Sequence, residues 1–178
     1  MHELIKLEES RYFYSMICKE FQNSNFLAYN LSAFLAAARS VLQYALKEAK
    51  TKSGGKHWYD TKVSVSPILS FFKDKRDINI HEEPVKPLKH TGITLVETVR
   101  VSESITVTKY DASGNLLDES TSESITEPEK SYIPPIVTHH YQFVDWPGNE
   151  DVLTLSQMYL DELKRMVDDG IARGFITG

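Results

Sequence analysis

Residues 25–50 constrain the fold of this chain more than any other stretch. Phe26, Leu27, Leu31, Phe34, Leu35, Ala38, Val41, Leu42, Ala45 and Leu46 recur at three- and four-residue spacing, the period of an α-helix with a broad apolar face. Alanine and leucine dominate the segment, and both favour helix. A face that wide needs other elements packed on it, so the helix belongs at the centre of a bundle.

The flanking segments supply the partners. Helical spacing runs over 3–22 through Leu4, Ile5, Phe13, Met16, Ile17 and Phe21, and Asn23-Ser24-Asn25 then offers a break with N-caps. Ser53-Gly54-Gly55 ends the long helix. His57-Trp58-Tyr59 opens a short segment, helical to about Ser64, that reads as a packed helix start rather than a base-stacking platform. Ser66-Pro67 has the form of an N-cap followed by proline at the first helical position. It predicts a helix from Pro67 to about His81 or Glu82, which Pro84 and Pro87 forbid to continue. The last helix is expected over 150–173, with Val152, Leu155, Tyr159, Leu163, Met166 and Val167 inward and Glu150 and Asp151 at its positive end.

Between these helices the period changes. Ile93 and Leu95 alternate with Thr94, and Ile105 and Val107 with Thr106 and Thr108, which is strand patterning. Asp111-Ala112-Ser113-Gly114-Asn115 is a turn, Leu116 to Ile125 a third strand and Val137 to Val144 a fourth. The expectation is an antiparallel β meander over 91–144, too polar to form its own core and leaning on the helices. The fold class is therefore mostly α with α+β character, as one domain over 1–178: a bundle over 1–90, the meander, and a C-terminal helix over 150–174.

No stretch approaches 18 apolar residues, so no membrane span is expected, and the charged start of the chain lacks a signal-peptide pattern. The single cysteine, Cys18, excludes an intrachain disulfide and points to a reducing, cytoplasmic setting; its neighbours Met16 and Ile17 suggest a buried, inert thiol. His139 and His140 are adjacent on a strand and point to opposite faces, so they do not chelate one ion. Neither metal nor cofactor is expected. The net charge of −5 is uneven: residues 1–90 hold fourteen Lys/Arg against ten Asp/Glu, and residues 91–178 hold six against fifteen. A polyanion would meet the first half, and a solvated dipolar surface with no such partner fits the same split equally well.

That half carries the one segment with chemical character, Arg76-Asp77-Ile78-Asn79-Ile80-His81, behind Phe71-Phe72. Arginine is a permanent cation suited to phosphate, and histidine moves protons near neutral pH. On a helix, Asp77 and His81 share a face, so the carboxylate is able to orient the imidazole. Arg76 lies about 140° away from His81, and only its long stem brings it to the same spot. The same residues also fit a surface ion-pair cluster with Asp74 and Glu82 at a helix C-terminus.

The Arg-Asp-x-x-x-His spacing, set near the end of a bundle helix that follows two long antiparallel helices, resembles the motif of the HEPN superfamily. The resemblance covers most of 1–90 and, loosely, 150–174. It implies a metal-independent endoribonuclease that works as a homodimer, with motifs from both subunits sharing a cleft. Dimerisation would run through the first helices. His81 would then be the general base or acid at the ribose 2′-hydroxyl, Arg76 would hold the scissile phosphate, and Asp77 would orient His81. Lys73 and Lys75 would add phosphate contacts. The resemblance also implies a toxin-like or defence-associated role with a protein inhibitor or partner. Many HEPN domains are instead non-catalytic modules that bind nucleotide, RNA or protein, and that alternative stands beside the nuclease.

Overall fold

The computed structural model describes residues 2–81, 87–94, 103–124 and 135–177, with the side chains of 78–81, 103, 123 and 124 left aside. The described residues form helices α1 (His2–Lys19), α2 (Ser24–Ala49), α3 (Gly55–Val65), α4 (Pro67–His81) and α5 (Val152–Ala172). They also form strands β1 (Leu88–Thr94), β2 (Glu103–Tyr110), β3 (Leu116–Ser124) and β4 (Ile136–Gln142). They divide into two compact units, one made of residues 1–91 and 138–178 and the other of residues 92–137.

In the first unit α1 and α2 are an antiparallel pair, with the His2 ring 5.2 Å from the Tyr44 ring at one end. Asn23 caps α2, its side chain accepting from the backbone N–H groups of Asn25 and Phe26. The broad face of α2 is the core of the unit: Leu31, Phe34, Ala38, Leu42 and Ala45 are wholly buried. Truncating Leu31 or Leu42 to alanine there should cost about 2–5 kcal/mol. Phe34 meets α4 through Phe72 (6.2 Å between ring centres) and α5 through Tyr159 (6.1 Å). Asp151 caps α5 by accepting from Thr154 N–H at 2.7 Å.

The far end of α5 stops on Gly174, whose φ of +72° suits a residue without a Cβ. Phe175 and Ile176 N–H both return to the Gly170 carbonyl, a Schellman-type close. This tail lays Ile176 and Phe175 against Trp58 and Gly170; the Trp58 and Phe175 rings are 5.4 Å apart.

The strands do not form the meander that alternation suggested. β1 pairs with β4 and β2 pairs with β3, giving two separate two-stranded sheets. Alternation marks a strand without naming its partner, and among the described residues the first strand pairs with the last while the two between them in sequence pair with each other. The β2–β3 register runs from Glu103↔Ser124 to Lys109↔Asp118, with an irregularity before Tyr110↔Leu116. Asp111 holds the turn by accepting from Ser113 and Asn115 N–H, both at 2.8 Å. β4 also carries the chain back into the helical core, where Tyr141 and Phe143 are buried against Phe21 and against Phe71 and Phe72.

Cys18 is exposed, not buried. Ile17 occupies the inward position of α1, and the next residue turns about 100° away from the core.

Candidate functional site

The expected site lies on the second half of α4. Ser66 and Pro67 start this helix as the sequence indicates, with Leu69 N–H donating to Ser66 Oγ at 3.4 Å. Leu69 and Phe72 bury its inner face completely. Phe72 stacks flat on Tyr159 of α5 at 4.4 Å, which fixes the helix against the bundle one turn before Arg76.

Arg76 is largely packed, 21% exposed, and its Nη1 lies 3.3 Å from Asp77 Oδ1. Asp77 therefore holds the guanidinium. Arg76 Nε is buried with no acceptor among the described residues. Asp77 and His81 sit four residues apart on one continuous helix, but the His81 side chain, and Glu82 and Glu83 beyond it, lie outside the described residues.

The two lysines differ. Lys75 is 13% exposed, pairs with Asp145 Oδ1 at 2.5 Å and lies 5.4 Å from the ring centres of both Phe71 and Phe143. A cation so enclosed joins α4 to the segment that follows β4. Lys73 is half-buried and makes no ion pair among the described residues. Among those residues no group of three or more His, Cys, Asp or Glu is placed to hold a metal ion. No described helix is long and apolar enough to cross a membrane.

Two other places lie outside the Arg76–His81 segment, although Arg39 stands out in the sequence as a cation within the apolar second helix. Arg39, on α2, has Nε and Nη1 buried without acceptors among the described residues and its guanidinium beside the Tyr59 hydroxyl. Burial pushes the Tyr59 phenol above its ordinary value, and Arg39 partly offsets that. Burial does the same, more strongly, to Tyr159, which also senses Arg39 and Asp77. The α2 cation and the α4 motif thus act electrostatically on one buried phenol.

The second place is an open groove of about 1070 Å³ between α3 and α5, where the rings of Trp58, Trp146 and Phe175 meet the charged groups of Lys62, Glu162 and Arg173. The sequence signal for it was the four-residue recurrence of His57, Thr61 and Val65 along α3. Trp58 was assigned to packing, and at 6% exposed it is packed, yet its edge also lines this groove.

Asp169 organises the groove's charged side. It accepts from Trp58 Nε1 at 2.6 Å and Arg173 Nε at 3.0 Å, with Lys62 Nζ 3.2 Å away. Burial works to raise the Asp169 pKa, but these donors together outweigh it and hold the carboxyl below its ordinary value. No protein-family profile, curated protein or solved structure matches this chain.

Proposed function

We propose that the chain is a HEPN-like domain that cleaves RNA without a metal ion, with the end of α4 as its reactive edge. Arg76 carries the reading: a guanidinium anchored by Asp77 and by the packing of Phe72, with a buried Nε–H that has no acceptor among the described residues. A cation fixed in advance stabilises charge that builds up on a phosphate without reorganising during the reaction. His81, one turn past Asp77, takes the proton of the 2′-hydroxyl as its oxygen attacks the adjacent phosphorus. The 5′-oxygen leaves and is protonated by the His81 of a second copy. The ends left are a 2′,3′-cyclic phosphate and a 5′-hydroxyl. Lys73 adds a phosphate contact, and Lys75 serves it only on leaving Asp145.

The alternative is a binding module of the same architecture that performs no cleavage. The partial burial of Arg76 and the enclosure of Lys75 favour it, because both leave less of the α4 surface open to a strand.

One experiment separates the two. Single-stranded RNA incubated with the protein in EDTA should acquire cyclic-phosphate ends, and His81→Ala should abolish them while the far-UV circular dichroism spectrum is retained. Cleavage that disappears in EDTA refutes the metal-free route. Binding of RNA that weakens in Arg76→Ala, with no cleavage by the parent protein, selects the binding module.

A further inference from the structure

We propose that the groove between α3 and α5 binds a planar aromatic anion, the chemistry shared by a free nucleotide and by an unpaired base with its phosphate in RNA. The site is distinct from the end of α4, and the proposal does not rest on the cleavage reading.

Shape comes first. α3 and α5 each pack on α2 and α4, and they meet one another through Trp58 and Lys62 against Asp169 and Gly170, at one end of the groove. The space between them is lined by large apolar side chains that face water: Val65 is 75% exposed and Met158 39%. Trp146 and Phe175 are partly exposed, so each offers ring surface for stacking, with the edge of Trp58 between the helices. The rings are held in place before anything binds. Trp146 donates its indole N–H to Glu150 at 2.7 Å and packs on Phe71 at 4.9 Å; Trp58 donates to Asp169. Rigid aromatic surface loses little entropy on binding. A volume of about 1070 Å³ accommodates a two-ring base with its sugar and phosphate.

Hydrogen-bonding capacity sets the sign of the ligand. Asp169 already meets three donors, so little acceptor capacity remains on it. Glu162, the carboxylate in the lining, is held by Arg165 at 2.6 Å. Arg173 has given Asp169 one of its five N–H groups and Lys62 one of its three. Both cations remain wet, at 58% and 40% side-chain exposure. What is left over at the mouth is donor capacity on charged groups, which selects an anion.

Both tryptophans of the chain line this groove, so tryptophan emission from the full protein reads its occupancy. Adenosine monophosphate should change that emission saturably. Adenosine should bind about tenfold more weakly, because a hydrogen bond to a charged group is lost. Decanoate, an anion without a ring, should not displace the nucleotide. The variant Lys62→Gln/Arg173→Gln should bind nucleotide and nucleoside alike, with an unchanged far-UV circular dichroism spectrum and a thermal midpoint lowered only by the loss of two Asp169 partners; Lys62→Gln alone should narrow the difference in the same direction. An oligoadenylate that binds more tightly than the mononucleotide at equal salt identifies RNA as the source of the ligand, and equal binding identifies the free nucleotide. His81→Ala should bind like the parent, so loss of cleavage and loss of groove binding are read separately. Absence of a saturable response to the nucleotide, equal affinity for nucleotide and nucleoside in the parent, or displacement by decanoate overturns the proposal.

Discussion

Replacing Gly170 by alanine tests the packing that shapes the groove floor. A Cβ at this position would stand 2.6 Å from Ile176 Cδ1, 2.9 Å from Ile176 Cγ1 and 2.7 Å from Trp58 Cη2. Carbon atoms prefer about 3.5–4.0 Å, so something must move by close to an ångström. Neither neighbour is loose, since Ile176 is 3% exposed and Trp58 is tied to Asp169. Overpacking of this kind costs about 1–3 kcal/mol, and alanine returns at most about 1 kcal/mol of helix propensity over glycine. Three contacts under 3.0 Å with fixed neighbours place the cost in the upper part of that range, about 2–3 kcal/mol, so the expected net loss is roughly 1–2 kcal/mol, readable as a shift of the urea midpoint followed by circular dichroism. Trp58 would be displaced, so the tryptophan emission maximum should move too. Two of the three close contacts belong to Ile176, so the penalty should shrink by about 1 kcal/mol in an Ile176→Ala background, itself destabilised by about 2–5 kcal/mol. A neutral or stabilising Gly170→Ala in the parent, or no coupling to Ile176, would refute this account of the α3–α5 contact.

Three further outcomes are expected. Asp145→Asn should leave Lys75 enclosed without its counter-charge and lower stability by about 1 kcal/mol, a discounted figure because Asp145 is 55% exposed; chemical denaturation checks it. The Asp169 carboxyl titrates below its ordinary value, so its contribution is complete above about pH 4 and is lost as pH falls through the lower, folded-state pKa. Asp169→Asn should therefore flatten the decline of the thermal midpoint below about pH 4, and an unaltered slope would exclude this carboxylate from the acid response. The exposed Cys18 thiol should react with a disulfide reagent in the native protein at a rate close to that in denaturant, and a thiol reactive only after unfolding would contradict its placement on α1.

Helices were legible in the sequence because their signals are local. The apolar recurrence of 25–50, the Asn23 cap, the Ser66-Pro67 start and the stripe from Val152 to Val167 each act within a turn or two, and each appears where its pattern put it. Strand positions were equally local, whereas the pairing of β1 with β4 depends on residues far apart in the chain, which alternation does not encode. Cys18 was misjudged because apolar neighbours in sequence are not neighbours in space on a helix. The pairing and packing of Lys75 were not legible because its partners, Asp145 and Phe143, arrive from beyond β4. The groove left only a faint trace, since α3, α5 and the tail after Gly174 each supply part of it.

The pairing of β1 with β4 has an architectural consequence. The chain departs from the helical unit after Thr91 and rejoins it at Thr138, on two hydrogen-bonded strands about 4.8 Å apart. A short glycine-containing turn joining those two paired strands in place of residues 92–137 is therefore expected to leave the helical unit folded, with its α-helical circular dichroism retained.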